Sequence, residues 1–192
     1  EFSGLTNQNF TFNFPNRIDT EPIRLKTRVA ARSTSESTVS NASAFEVRVN
    51  NDLIQTHGIN SVRTGYEQPY GLPSEEVSLF TTNGNEVNVN LQFIRYHSAS
   101  ATGWLDFLQL NARCNLVFNG NQLLFAEPNS VGDNRVSKFV LEGATANTQV
   151  WQCDDVGAIK RMAVSSNGSG FQFVTATESL KRFVAFNPNQ CY

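Results

Sequence analysis

Apolar and polar residues alternate with a period of two along much of this chain, and this pattern constrains the fold more than any other feature of the sequence. The alternation is clearest in three segments, Phe10 to Phe14, Ile23 to Ala31 and Val87 to Tyr96. Successive side chains of a β-strand point to opposite faces, so such segments are typical of half-buried antiparallel strands. No stretch has the 3.6-residue period of an amphipathic helix. The sequence therefore predicts an all-β protein.

Turn residues separate these segments from further short apolar runs. Asn-Gly pairs at 83–84, 119–120 and 167–168, and the run Asn50-Asn51-Asp52, are typical of hairpin turns. About a dozen strands, spaced by roughly eight to twelve residues, favour an antiparallel β-sandwich of jelly-roll (galactose-binding-like) type. We expect loops at 33–43 and 65–74. The other strands are predicted at 45–49, 53–54, 104–111, 116–118, 122–125, 138–141, 149–151, 160–164, 171–175 and 182–186.

The length and charge of the chain narrow its class. Its 192 residues fit one β-sandwich domain over 1–192, and its abrupt start at Glu1 suggests a fragment of a larger secreted protein. Only 17% of the residues are charged and the formal net charge is -2, so we expect no nucleic-acid partner. No apolar run reaches the roughly 18 residues that a membrane helix needs, so no membrane-spanning segment is predicted, and no signal peptide is recognisable.

The three cysteines are widely spaced, at Cys114, Cys153 and Cys191, without a CxxC motif. This spacing provides neither a zinc site nor a thioredoxin-like motif. A domain of this size does not need a disulfide, which favours free thiols, although one disulfide remains open.

No group of residues predicts catalysis. His57-Gly58 together with Cys114 resembles the His-Gly and Cys signatures of caspase-like peptidases, but that fold requires parallel strands between helices, and both residues lie among alternating strands. We therefore interpret His57 as a hairpin residue. The acidic pairs Glu75-Glu76 and Asp154-Asp155 would point to opposite faces of a strand. We predict no catalytic residue, no metal site and no cofactor, and leave open only a structural calcium ion in a loop.

One concentrated surface feature is the basic stripe Arg24, Lys26 and Arg28, which alternates with inward apolar residues and which Arg48 would extend. Such a stripe can protect an edge strand from aggregation. It can also bind an acidic segment of a partner. Separately, Trp104 with Tyr66 and Tyr70 would form a platform for a glycan, unless Trp104 belongs to the core.

Several segments, in order along nearly the whole chain, resemble a region of a known protein family. They are Phe12-Asn-Phe-Pro15, Val29-Ala-Ala-Arg32, Gly103-Trp-Leu-Asp-Phe-Leu-Gln-Leu-Asn-Ala-Arg113, Gly120-Asn-Gln-Leu-Leu-Phe125, Val150-Trp151 and Phe183-Val-Ala-Phe186. The family that they resemble is that of the PorU-like type IX secretion sortases, which are gingipain-like cysteine peptidases. Cys114, in place of a second Arg after Asn-Ala-Arg, departs from the family pattern, as does Gln152-Cys153 in place of a more acidic sequence.

The resemblance implies that this β-rich region precedes a caspase-like catalytic domain and stops before it. Such sortases act at the outer membrane surface of Bacteroidetes, where they remove the C-terminal signal domain of cargo proteins and attach the cargo to a lipopolysaccharide anchor. The implied location is the extracellular face of the outer membrane. The implied partners are the catalytic domain of the same parent chain and the cargo signal domains. No position here matches the catalytic residues of the family.

Three functions follow as expectations. The first is a non-catalytic accessory domain that packs on the peptidase or presents cargo. The second is a module that binds carbohydrate or lipopolysaccharide, and the third is a structural spacer. An enzyme in its own right would require a Cys, a His and a carboxylate to converge.

Overall fold

The structure is a computed structural model that describes residues 1–154 and 157–190. The chain divides into two compact units, Glu1–Cys114 and Asn115–Tyr192, and each is described by itself. That 1–192 behave as a single domain stays a prediction. No helix among the described residues is long and apolar enough to cross a membrane.

Unit 1 contains two antiparallel sheets. Sheet A has the order β7-β2-β9 and sheet B has the order β1-β8-β4-β5, while β3 and β6 form a short parallel ladder. The strands are β1 (Asn7–Asn13), β2 (Ile23–Arg32), β3 (Thr34–Ser35), β4 (Ser43–Val49), β5 (Asp52–Ile59), β6 (Val62–Arg63), β7 (Leu72–Phe80), β8 (Glu86–Arg95) and β9 (Thr102–Asn111).

Sheets A and B pack face to face around one apolar cluster. Every second residue of β2 from Ile23 to Ala31 is buried, as the sequence predicts, and β8 buries Val87, Val89, Leu91 and Phe93 in the same manner. The predicted all-β antiparallel sandwich is therefore confirmed. Burial of a large apolar side chain contributes about 1.5–3 kcal/mol, so these alternating positions provide most of the stabilisation of the sandwich.

Three phenylalanine rings pack against one another in one part of this core. Phe2 is fully buried, and its ring lies 5.3 Å from that of Phe45 and 6.4 Å from that of Phe93. The backbone N–H of Phe2 donates to the carbonyl of Gly103 at 2.8 Å. A Cβ at Gly103 would lie 2.5 Å from the ring of Phe45, so this position on β9 requires glycine.

The β4–β5 hairpin turns at Asn50 and Asn51, which have φ angles of 48° and 77°. Left-handed backbone conformations at both central residues are typical of the hairpin turn that matches the twist of the strands, and asparagine adopts them readily. The hairpin predicted from Asn50-Asn51-Asp52 is thus confirmed.

A seam of polar side chains lies between the edge strands β5 and β7. His57 is fully buried; its Nδ1 lies 3.0 Å from Ser74 Oγ and its Nε2 lies 3.3 Å from Gln55 Oε1. Since an amide oxygen only accepts, Nε2 carries the proton and Nδ1 accepts from the Ser74 hydroxyl. The Gln55 amide donates to the carbonyl of Leu25 at 3.3 Å. Thr27, also fully buried and facing inward on β2, has a hydroxyl without a partner.

Unit 2 also has two sheets, of order β10-β16-β12-β13 and β11-β15-β14. Its core contains the stacked and tilted rings of Phe125, Phe139, Phe173 and Phe183, with centroids 5.0–6.4 Å apart. The elements are β10 (Leu123–Ala126), a 3₁₀ turn (Pro128–Ser130), β11 (Val136–Glu142), β12 (Gln149–Gln152), β13 (Lys160–Arg161), β14 (Ser165–Ser166), β15 (Gly170–Ala176), β16 (Arg182–Phe186) and a second 3₁₀ turn (Pro188–Gln190).

Several elements differ from the sequence prediction. The short strands β3, β6 and β14 were not predicted, and β3 lies within the expected 33–43 loop. Strand β7 (Leu72–Phe80) was not predicted, and part of it was assigned to the 65–74 loop. Its inward positions Leu72 and Phe80 contact the apolar cluster, but Ser74, which faces the polar seam, and Ser78 lie between them and interrupt the usual apolar alternation. The segment 116–118 was predicted as a strand, but it contributes only an isolated bridge between Val117 and Glu142.

Candidate functional site

The outer face of sheet A brings together most of the side chains singled out in the sequence. Arg24, Lys26 and Arg28 of β2 point outward, beside Gln109 and Phe107 of β9. We call this surface the basic–aromatic face. It is defined by Arg24, Lys26, Arg28, Arg32, Tyr70, Trp104 and Phe107.

Lys26 lies at the centre of the basic–aromatic face. Its ammonium lies 2.7 Å from a carboxylate oxygen of Glu75 on β7, and 5.4 Å from the centroid of the Phe107 ring on β9. The side chain thus bridges both neighbouring strands. Because these partners are partly exposed, the ion pair contributes little to stability and can exchange for a ligand.

The two flanking arginines differ in their partners. Arg28 Nε lies 3.5 Å from a carboxylate oxygen of Asp106, next to the bulge that interrupts the β2–β9 register. Arg24 is exposed and has no ion-pair partner within residues 1–154 and 157–190. Arg24 is therefore the guanidinium on this face that is most available to an external acidic group.

A second cluster occupies the other end of the face. The Arg32 guanidinium lies 4.5 Å from the centroid of Tyr70 and donates to the Tyr70 carbonyl at 2.6 Å. The rings of Tyr70 and Trp104 lie 5.8 Å apart. Trp104 is half-buried and outside the apolar cluster of unit 1, so the interpretation as a core residue is wrong.

Tyr66 does not join this cluster. Its side chain is fully exposed, with no ring contact or hydrogen bond among the described residues. The aromatic platform therefore contains two of the three predicted residues, Tyr70 and Trp104.

Sequence reasoning missed the apolar part of this surface. Val77 and Leu79 of β7 are 45% and 66% exposed, and they lie beside Lys26 and Arg24 on the same outer face. In the second half of β7 the apolar residues Val77 and Leu79 occupy outward positions while Ser78 lies inward, and this local reversal is the signal that could have revealed them. Exposed aliphatic residues beside cations are typical of a protein-binding surface.

Two interpretations of the basic stripe are corrected. Strand β2 pairs with β7 on one side and with β9 on the other, so the stripe cannot protect a sheet edge. Arg48 does not extend it, because Arg48 lies on β4 of sheet B. There it forms an ion pair of 2.7 Å with Glu46.

His57 and Cys114 lie in separate surroundings, and burial shifts the pKa of each side chain. Burial lowers the pKa of His57 from its ordinary value, opposed by the Glu76 carboxylate, so the ring is held neutral. Burial raises the pKa of the Cys114 thiol, against the effect of the Arg17 guanidinium, which disfavours a reactive thiolate. The Cys114 thiol donates to the Ala112 carbonyl at 3.9 Å.

The acidic residues and the other cysteines form no reactive group in the part of the chain that is described. Burial raises the pKa of Asp154, but hydrogen bonds from the Arg182 backbone and Gln152, and the charge of Lys181, lower it overall. Cys153 is a free thiol, as is Cys114. Asp155 and Cys191 lie outside the described residues. No group of three or more His, Cys, Asp or Glu within 1–154 and 157–190 could hold a metal ion.

Fold and surface together define the class of this chain as an all-β antiparallel sandwich protein with an exposed basic–aromatic face. A solved structure with a similar fold is the crystal structure of dimeric latent PorU from Porphyromonas gingivalis, with a TM-score of 0.79 and 14% sequence identity. The match covers 99% of this chain and 18% of that chain. No family model and no curated protein matches the sequence. The likeness to PorU is therefore one of fold, and it agrees with the resemblance noted in the sequence.

Proposed function

We propose that this chain is a non-catalytic accessory region that precedes the caspase-like domain of a gingipain-like cysteine peptidase, a type IX secretion sortase or a close relative. The observation that carries the proposal is the recurrence of its whole fold as 18% of the larger PorU chain. The proposed location is the extracellular face of the outer membrane. The proposed partners are the peptidase domain of the parent chain and the C-terminal signal domains of its cargo.

The basic–aromatic face is the proposed contact surface. It combines cations that have weak or no internal partners, Arg24 and Arg28, with the exposed aliphatic side chains Val77 and Leu79. An acidic, partly apolar segment would replace Asp106 and Glu75 as partner of the cations and cover the aliphatic side chains. Charged hydrogen bonds contribute about 1.5–3 kcal/mol each, and burial of the apolar surface adds to this.

The first experiment measures binding between this chain and purified cargo signal domains by isothermal titration calorimetry. We expect R24S/K26S/R28S to weaken binding by about tenfold or more, since each lost charged contact is worth about a factor of ten. Binding of the unaltered chain should also weaken with rising salt, because exposed charges are screened. The control is R48S, which removes a partly exposed arginine from the opposite face of the same unit.

The same triple substitution in the full-length parent should reduce cargo processing while leaving the thermal unfolding of this chain unchanged. Processing at the original rate would contradict a role of this face in presenting cargo. If binding to the signal domain is absent but the isolated peptidase domain binds, the face belongs to the intramolecular contact.

A second candidate function is binding of carbohydrate or lipopolysaccharide, which the Tyr70–Trp104 cluster favours. The aromatic rings could stack on a sugar and Arg32 could bind a phosphate group. The test compares Y70A and W104A with Y66A on immobilised lipopolysaccharide. Loss of retention in the first two variants but not in Y66A would support this function, and no retention of the unaltered chain would remove it. If the chain binds neither proteins nor glycans, the function of a structural spacer would be supported instead.

A further inference from the structure

A depression of about 430 Å³ lies on the outer face of sheet B, on the opposite side of the sandwich from the basic–aromatic face. We call it the asparagine groove. Its lining residues are Asn9, Asn50, Asn51, Asn88, Val89 and Asn90. Five of these six residues have an amide side chain, and none is charged.

The groove follows directly from strand register. Asn9 of β1 lies opposite Asn90 of β8, and the next outward pair is Thr11 with Asn88. The intervening residues, such as Phe10 and Val89, point into the core. The asparagines therefore occupy consecutive outward positions of two paired strands, and the left-handed turn residues Asn50 and Asn51 form one end.

Hydrogen bonds hold several of these amides in fixed orientations. Asn90 Nδ2 donates to Asn9 Oδ1 at 2.8 Å, and Asn50 Nδ2 donates to Thr82 Oγ1 at 2.8 Å. The Asn88 backbone N–H donates to Asn50 Oδ1 at 3.1 Å. Because the side chains are already ordered, a ligand that binds them loses less conformational entropy.

Each amide has more hydrogen-bonding capacity than these contacts use. An asparagine side chain offers two N–H donors and an oxygen that accepts two bonds. The Asn9 amide nitrogen, the Asn90 amide oxygen and the Asn51 side chain have no hydrogen-bond partner within the described part of the chain. A free amide donor at Asn9 and a free amide acceptor at Asn90 thus lie on directly paired residues at the surface of the groove.

We propose that the asparagine groove binds a neutral carbohydrate. A sugar hydroxyl donates one hydrogen bond and accepts others, so neighbouring hydroxyls match an amide N–H and an amide C=O group on paired residues. An ionic ligand would find no opposite charge among the lining residues, and the side chains that reach the groove are short amides, which do not form the continuous apolar surface that a lipid requires. The volume lies within the range of about 300–1,000 Å³ that is usual for small-ligand sites. This site goes beyond the proposed function, since it uses neither the face nor the residues of the partner contact.

The test is a titration of the ¹⁵N-labelled chain with neutral sugars, followed by NMR. The probes are glucose, galactose, mannose, N-acetylglucosamine, maltose, cellobiose and chitobiose, each up to 20 mM. We expect at least one probe to shift the side-chain NH₂ signals of Asn9 and Asn51. N9A and N90A should weaken this binding by about fivefold or more, because each removes a hydrogen-bonding group from the groove. The matched control is N7A, on the same strand and the same exposed face but outside the groove.

The outcomes are distinct. Binding that N9A and N90A weaken and N7A retains would support the proposal. No shift with any probe would overturn it, as would binding that is lost in W104A rather than in N9A. None of these results bears on the binding of cargo signal domains, because R24S/K26S/R28S tests the opposite face.

Discussion

The two units bury different kinds of interior. In unit 1 the seam between β5 and β7 contains His57 and Gln55, and Thr27 on strand β2 has a buried hydroxyl without a partner. In unit 2 the core contains four packed phenylalanines, and the buried Thr177 hydroxyl has hydrogen-bond partners. Unit 2 thus combines aromatic packing with buried hydroxyls that are hydrogen-bonded, whereas the interior of unit 1 contains a polar seam and a hydroxyl without a partner, which costs free energy.

This difference shows why buried residues can be predicted from the sequence in an apolar core but not in a polar seam. An apolar alternation in the sequence predicts which residues are buried, but the polar residues of a buried seam have the same sequence pattern as solvent-exposed residues. The following changes test the contrast, in order of decreasing expected effect.

Phe183→Ala should have the largest effect. Phe183 is fully buried, with ring centroids of three other phenylalanines at 5.0–5.3 Å, and truncation of such a side chain costs about 3–5 kcal/mol. Urea unfolding, with amide hydrogen exchange in unit 2, measures this loss. The control Leu124→Ala, at an exposed residue on the neighbouring strand, should cost less than about 0.5 kcal/mol. A small effect of Phe183→Ala would mean that unit 2 does not depend on this packing.

Gly103→Ala tests how tightly the apolar part of unit 1 is packed. The new methyl group would lie 2.5 Å from Phe45 and 2.9 Å from Phe93, and overpacking of this kind costs about 1–3 kcal/mol. Gly4→Ala, where no atom lies within 4 Å of the new Cβ, is the control. Equal unfolding midpoints for the two variants would show that the core around Phe45 can rearrange to accommodate the methyl group at little cost in stability.

Acidification should destabilise unit 1 through His57. Its folded-state pKa is lowered, so below about pH 6.5 the unfolded chain binds a proton more readily than the folded chain. Stability is therefore full above that pH and falls as the pH decreases through it, by at most about 1.4 kcal/mol per pH unit, until the folded-state pKa is reached. The groups that face the ring are Gln55, Ser74 and, at longer range, Glu76.

Urea unfolding at pH 7 and pH 5 measures this dependence. His57→Gln should reduce it by the contribution of one proton. An undiminished pH dependence in His57→Gln would assign the effect to other groups.

The smallest effects should have opposite signs in the two units. Thr27→Val removes a buried hydroxyl without a partner and should stabilise unit 1 by about 1 kcal/mol. Thr177→Val removes a hydroxyl that donates to the Ser130 carbonyl at 2.8 Å, and should destabilise unit 2 by about 1 kcal/mol. Unfolding midpoints that move in the same direction would contradict the contrast between the two interiors.

Much of the fold could be predicted from the sequence. The alternation in β2 and β8 specifies which residues are buried, and β16 has the predicted bounds Arg182–Phe186. Strand β7 was not predicted, because Ser74 and Ser78 interrupt its apolar alternation, and the polar partner of Ser74, His57, is brought to it only by the tertiary structure. The division into two units could not be predicted from the sequence either, since no linker-like segment lies near the boundary at Cys114.

The candidate site was predicted only in its parts. Arg24, Lys26 and Arg28 were recognised as an outward stripe and Trp104 as a candidate ligand-binding residue. Their position on one face depends on the pairing of β2 with β9, which a single sequence does not reveal. The asparagine groove was missed for the same reason, because Asn9 and Asn90 are 81 residues apart and meet only through the β1–β8 register.

Phe2 is fully buried, so removal of its ring would leave a cavity in the core of unit 1 that a small molecule could fill. The phenyl ring belongs to the segment before β1, and it packs against the rings of Phe45 and Phe93. Phe2→Ala would leave a dry, aromatic-lined hole, and such holes in protein cores take up benzene or xenon. The stability of that variant would then depend on the concentration of a small aromatic molecule, which gives a chemical control over the sandwich without any change to its outer faces.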